Sequence, residues 1–541
     1  MNIQFQPNSK NRTGEIVDAI MRAEPGSTIS FSRGRYDFYR EGAFPWYLTP
    51  PCNTNSDKQV IFPLIGKKNL TIDGGGSEFL FHDRLFPFSL WQSDGITLKN
   101  FSIDFSFPRY CQAYLKENTE DGLLLEIEDC YQASVSEDGN LCFLAGTELF
   151  STAERRFFLK QENRVCYLTA GEYFYENTGL PAEVFYCQAE QTKNGIFLRK
   201  NPESKFAPPF EVGKPLIISY DENRENDVFF FDSCSEIRVE NVRIFRGAGM
   251  GIVGRCCHNV SLERFVITPH PGELYSTTAD GVLLTNFTGD LRLTDCLIKD
   301  TMDDGINVHG YYTRVEKIVS KNRALVRLIH PQQAGTNVYK PQDRVVICSA
   351  ETLDEIGRCT VTASFIQNDL HLIQLTFAEE IVGKLKPGDI LDNPDRTPRT
   401  ILKNCTFDHA LHPRLCSSQE TIVDGCTFQN CNGLHLDDLM KYWYASGRVR
   451  NVEIQNCTFS GNETGIGSTM DRYEETSVRH ENVRIHHNHF SGNKQDIVLN
   501  DVDGAEIYEN TFDEPKKIAF HRCEHIKIKG EENGTIINEM E

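Results

Sequence analysis

Toward the C-terminal end of the chain one eight-residue phrase keeps returning: TILKNCTF ending at Phe407, TIVDGCTF at Phe428, VEIQNCTF at Phe459, VRIHHNHF at Phe490 and AEIYENTF at Phe512. Apolar and polar side chains alternate within it, the two-residue period of a half-buried β-strand. The closing phenylalanines are 21, 31, 31 and 22 residues apart. Weaker copies end at Ile103, Ile244, Ile267 and Ile298. No helical period lies between copies. A strand-bearing unit of this length that repeats without helices predicts the coils of a right-handed parallel β-helix, in which each coil pairs with the next and touches little else.

The third residue from the end of each phrase runs Cys296, Cys405, Cys426, Cys457, Asn488, Asn510. Small inward side chains are therefore expected to stack along the axis, and the last two to form a ladder of side-chain amides. Near the N-terminus, Ile16, Ala19 and Ile20 stand at helical spacing before a glycine turn, which predicts a helix covering the open end of the coil stack. Two stretches lack the phrase and carry short alternating strands with turn signals instead, LLLEIEDC in the first and ALVRLIHP in the second. The expected organisation is all-β: a cap and first coils over 1–106, an inserted β-domain over 107–227, central coils over 228–310, a second inserted β-domain over 311–399, and C-terminal coils over 400–541.

Length fits this picture, since 541 residues exceed one ordinary core but suit an array that grows without thickening. The net charge of −21 opposes nucleic acid, acidic lipid surfaces and polyuronates, and favours a neutral partner. No apolar run is long enough to cross a bilayer, so no membrane partner is expected. The first residues show no basic segment followed by an apolar one and no small-residue cleavage site, from which a cytoplasmic location is expected unless a signal has been removed. The 18 cysteines form no C-x-x-C pairs and sit in apolar strand patterns, which reads as reduced core residues and not as zinc ligands.

The candidate chemistry emerges from registration of the coils. Gly305-Ile306 follows Ile298 as Gly251-Ile252 follows Ile244, and the coil between offers Gly281-Val282. Aligned on these glycines, Asp280 lies one coil from Asp304, and Ala279 one coil from Asp303. Neighbouring strands are about 4.8 Å apart, so Asp280, Asp303 and Asp304 are expected to crowd one corner. Crowding should leave one carboxyl protonated to higher pH, the separation that acid–base chemistry uses. Glycosidases work with such a pair, one carboxyl donating to the leaving oxygen while a carboxylate activates water or attacks the sugar. An Asp-Gly pair is also a common turn, a reading that the clustering on adjacent coils weighs against.

Asn307 and His309 alternate with inward Ile306 and Val308, so they either bind sugar hydroxyls or cap a strand end. In later coils Arg414, His435 and Asp437 fall near the same corner, and Trp443 is a candidate to stack on a sugar face, each with a plain structural reading beside it.

STTADGVLL with TMDDGINVHG, inside a β-helix with two β-insertions, resembles glycoside hydrolase family 110, the bacterial exo-acting α-1,3-galactosidases. The resemblance covers most of the chain and is most specific over 276–310. It implies a catalytic centre of Asp280, Asp303 and Asp304, an inverting mechanism with no cofactor or metal, and a neutral galactose-terminated oligosaccharide or glycan as partner. Self-association is left open. One departure concerns substrate choice: the family's tryptophan motif reads W-Y-E-S-G, whereas Ala445 stands here at the glutamate position. Three alternatives accompany this reading: a polygalacturonase-like β-helix hydrolase, a non-catalytic carbohydrate-binding β-helix, and a uronate lyase or epimerase with calcium on the aspartates.

Overall fold

The computed structural model of the protein describes all residues except 1, 8–9, 108–109, 146–147, 152–156, 162–163, 169–185, 201, 203–209, 220–225, 475, 477–478, 530–533 and 540–541. The repeated phrases form parallel strands: Arg399–Lys403 pairs with Thr421–Asp424, then Arg450–Gln455, His480–His486 and Val502–Tyr508 follow in turn. Each phrase bends in its middle at a residue with positive φ: Asn404, Gly425, Asn456, His487 and Glu509 lie between 53° and 66°. Asparagine and glycine tolerate this left-handed geometry best, which accounts for the N-C and G-C pairs of the phrase. Beyond the bend, short strands carry the phenylalanines into a stack, with ring centroids 5.0–5.2 Å apart from Phe407 through Phe428, Phe459 and Phe490 to Phe512.

The corner residue after the bend has one task in every coil. The Cys405 and Cys426 amides donate to the sulfurs of Cys426 and Cys457 at 3.4 Å, and the Cys457 amide donates to Asn488 Oδ1 at 2.9 Å. Asn488 Nδ2 in turn donates to the Ile454 carbonyl and to Asn510 Oδ1, at 3.0 and 3.1 Å. Thiol and amide thus accept the same orphan N–H from the neighbouring coil. A second, parallel ladder runs Cys431, Asn462, Asn493, with side-chain oxygens accepting at 3.1 and 3.0 Å. Asn488 is 1% exposed. Asn488→Ala is therefore expected to lower stability by about 1–3 kcal/mol, because buried backbone groups lose their partners. Urea unfolding followed by far-UV circular dichroism checks this, and an unshifted midpoint refutes it.

The helix Thr13–Arg22 buries Ile16, Val17 and Ile20 and packs on the strand Ser56–Ile65. A second parallel sheet runs along another face of the coils through Phe229–Asp232, Ile252–Arg255, Val282–Thr285, Ile306–Tyr311, Pro413–Leu415, Leu434–Leu439 and Thr464–Asp471. Between Tyr110 and Ser219, strands form a seven-stranded antiparallel sheet beside a three-stranded one; part of this segment lies outside the described residues. Six strands between Thr313 and Asp392 close into a barrel with its own apolar core around Val326, Ile347 and Leu375. Entry and exit of the barrel are adjacent, since Thr313 pairs with Leu391. All 15 free cysteines among the described residues lie apart from any disulfide, and most are buried.

Candidate active site

Two turns of equal construction lead into the strands Val282–Thr285 and Ile306–Tyr311. Thr277 Oγ1 donates to the Ala279 carbonyl at 2.8 Å, and Thr301 Oγ1 donates to the Asp303 carbonyl at 2.7 Å. Thr277 and Thr301 are bridged, Val282 pairs with Ile306, and the Gly281 amide donates to the Asp304 carbonyl at 2.8 Å. Asp280 is thereby stacked on Asp304. The glycines permit the close coil spacing here: a Cβ on Gly281 would stand 2.6 Å from the Gly305 carbonyl oxygen.

Asp280, Asp303 and Asp304 line one cleft, together with Asn307, His309, Arg414 and Trp443. His435 and Asp437 do not line it. They stand behind Arg414, whose Nε donates to Asp437 Oδ2 at 2.9 Å, while His435 Nδ1 lies 3.8 Å from the same oxygen. His309 is 6% exposed, its Nδ1–H donates to the Gly310 carbonyl, and burial depresses its pKa to about 4. It is a neutral wall of the cleft.

The shift at Asp304 runs downward. Burial would raise its pKa, but the Arg414 guanidinium and the His412 imidazole outweigh burial and bring it below the ordinary carboxylate value. Arg414 Nη1 lies 3.5 Å from Asp304 Oδ2, Asn307 Nδ2 donates to that oxygen at 2.9 Å, and His412 Nδ1 lies 3.1 Å from Oδ1. A guanidinium and neutral donors surround this carboxyl and favour its ionised form.

His412 is a residue that sequence reasoning passed over, although it stands two positions before Arg414. Its proton is placed by Asn432, whose Nδ2 donates to His412 Nε2 at 2.7 Å, leaving Nδ1–H to face Asp304. Burial lowers the His412 pKa, so the ring acts as a neutral donor. The carbonyl of Asn432 accepts from His435 Nε2 at 2.9 Å, so one asparagine orients both rings. His330 and Gln333, from the barrel, also line the cleft. The side-chain oxygen of Asn307 is buried with no hydrogen-bond partner, an acceptor available to a ligand donor.

The pH dependence follows from the charges. An Asp304 held below the usual value keeps its carboxylate down into acid, and activity that needs it is lost only as pH falls through that value. Arg414→Gln removes the main opposing cation, so the acid limb of the kcat/KM profile is expected to move up by about 1–3 pH units. An unmoved limb in a folded variant would separate Asp304 from that titration.

Among the described residues, the group whose donor atoms converge within 4.8 Å is Asp503, Glu524 and His525, all exposed in the C-terminal coils. The cleft aspartates are arranged around protein donors and a guanidinium.

Comparisons with known proteins agree with the architecture. Residues 323–391 match the family described as GLAA-B beta-barrel domain II, and residues 391–531 match the right handed beta helix region. Alpha-1,3-galactosidase A of Shewanella woodyi is 28% identical over 470 residues, covering 84% of this chain and 74% of that protein. Alpha-1,3-galactosidase B of Phocaeicola vulgatus is 27% identical over 454 residues, with 80% and 72% covered. Alpha-1,3-galactosidase B of Bacteroides thetaiotaomicron is 25% identical over 453 residues, with 82% and 72% covered. With the stacked aspartate turns and the barrel between coils, the chain is similar over some four-fifths of its length to the bacterial alpha-1,3-galactosidases.

Proposed function

We propose that the chain is an exo-acting α-galactosidase that hydrolyses terminal α-1,3-linked galactose from neutral oligosaccharides or glycoconjugates, with inversion and without a metal. The observation that carries this is the stacking of Asp280 on Asp304, with Asp303 beside them, in a cleft that holds Asp304 ionised. The relatives that bear the name alpha-1,3-galactosidase support the substrate. Walls contributed by coils, barrel and the segment at Cys52 suit a pocket that accepts a chain end.

In this reading Asp304 takes a proton from water as the water oxygen bonds to the anomeric carbon. The glycosidic C–O bond breaks on the opposite face, and a protonated carboxyl, Asp280 or Asp303, delivers its proton to the leaving oxygen. Asn307 and Arg414 hold Asp304, and the free carbonyl oxygen of Asn307 accepts a hydroxyl of the bound sugar.

The test combines substrate, stereochemistry and metal dependence. Purified protein is expected to cleave p-nitrophenyl α-galactoside and Galα1,3Gal, to release β-galactose first in early proton NMR spectra, and to keep its activity in EDTA. Initial α-galactose would mean a retaining mechanism. Cleavage of polygalacturonate alone would sink the galactosidase reading, and loss in EDTA restored by calcium would reassign the aspartates as metal ligands.

A further inference from the structure

Three segments that belong to different parts of the chain meet in one wall of the cleft: the loop at Cys52, the barrel turn Pro331–Gln333, and the loop around Trp443. Their backbones are tied together. The Cys52 amide donates to the Gln332 carbonyl at 3.0 Å, and Gln333 Nε2 donates to the Trp443 carbonyl at 3.0 Å. Beyond this clamp three rings run outward. His330 and Trp443 line the cleft with centroids 5.1 Å apart, and Tyr442 stands edge-on to Trp443 at 5.0 Å and 84°. Trp443 is 38% exposed and Tyr442 61%.

Large aromatic surface left in water next to a cleft marks a place that a ligand covers. We propose that Trp443 and Tyr442, with His330, form the subsite for the sugar on the leaving-group side of the scissile bond, and that this sugar is a neutral pyranose held by stacking. The inference rests on the galactosidase reading above. It names the second sugar where that reading names the first. The C–H face of a pyranose is apolar and faintly positive, complementary to the negative face of an aromatic ring. The nearby cation Lys441 is paired with Asp471 at 3.4 Å, which favours a neutral sugar over a uronate at this wall. Because Gln333 pins the Trp443 backbone, little order remains to be imposed on binding. His330 adds a donor: its Nδ1 accepts the Gln332 amide at 3.3 Å, so the proton resides on Nε2.

The experiment uses the full chain carrying Asp304→Asn, so that ligand is not consumed, and reads the emission of three tryptophans, Trp46, Trp91 and Trp443. The ligands are Galα1,3Gal and methyl α-galactoside. The disaccharide is expected to bind about tenfold more tightly than the methyl glycoside and to perturb the emission. Adding Tyr442→Ala should erase most of that advantage, and adding Trp443→Phe should erase the emission change. In the otherwise unaltered enzyme, Tyr442→Ala should lower the kcat/KM ratio of disaccharide to methyl glycoside by a similar factor. Equal binding of the two ligands, or an advantage that survives both substitutions, overturns the subsite. If the unaltered protein hydrolyses Galα1,3Gal while that advantage is missing, the subsite alone fails. If it neither binds nor hydrolyses any α-galactoside, the galactosidase reading fails and the subsite with it.

Discussion

Asp304→Asn is expected to lower kcat by about 10²–10⁴-fold on an α-galactoside while the protein still folds. Asparagine keeps the shape of the side chain and one acceptor oxygen, so contacts with His412 and Asn307 survive in part, but it cannot take a proton from water. The same substitution at Asp280 or Asp303 should also impair turnover, through the acid or its helper. Asp304→Asn should differ from them in its salt and pH response, because it also removes the charge that Arg414 and His412 face. Circular dichroism and the melting midpoint control for folding. Near-normal turnover in the Asp304 variant would overturn the assignment of this carboxylate to catalysis.

The largest expected effect on stability lies elsewhere, at Asp501. Its side chain is 0% exposed and is gripped by two guanidinium groups: Arg472 Nη2 at 2.7 Å and Arg522 through Nε and Nη2 at 2.9 and 2.8 Å. The Arg472 side chain is 4% exposed, so Asp501→Ala strands a cation in the coil wall. A loss of about 3–5 kcal/mol is expected. The double variant Asp501→Ala with Arg472→Met should recover much of it, since an apolar side chain leaves no unpaired charge. Denaturant unfolding of both variants measures the difference. A double variant no more stable than the single would show that the loss comes from packing or from alanine at the left-handed backbone of position 501, and not from the stranded charge.

The coils were legible because their constraint is periodic. A strand that pairs in register with its neighbours must repeat its apolar positions, its left-handed bend and its corner acceptor, and each repetition appears in the phrases ending at Phe407 to Phe512. The same logic located Asp280 beside Asp304. It gave out at His412. Ile306 follows Ile298 by eight positions, but the partners of these residues, Pro413 and Phe407, are six apart. The turn after Asp408 is two residues shorter, so an alignment carried forward at constant length misplaces His412. Turn length depends on local backbone geometry, which leaves no period to read. Asp304's low pKa was hidden in part for the same reason: Arg414 was visible near the corner, whereas its contact with Asp304 and the imidazole beside it depend on the shifted strand. His330 and Gln333 reach the cleft through the folding of the barrel back onto the coils, a non-local event with no repeat behind it. His435 and Asp437 were identified as a pair near the corner, yet strand pairing sets them against Arg414 and away from the cleft.

The barrel between Tyr311 and Arg399 has a consequence for how the protein can change. Lys299 and Asp408 are 109 residues apart in sequence and are neighbours across one coil step. Loop closure costs only about 0.6 kcal/mol for each doubling of length, so an excursion of this size burdens the coil ladder by little more than 1 kcal/mol over an ordinary coil. The paired strand ends at Thr313 and Leu391 return the chain to its point of departure. The ladder resumes with Ile298 against Phe407 as though the chain had never left. The cleft aspartates belong to the ladder, while His330 and Gln333 belong to the excursion. Exchange of the barrel is thus a route by which one wall of the cleft can change while the stacked aspartate turns stay in place.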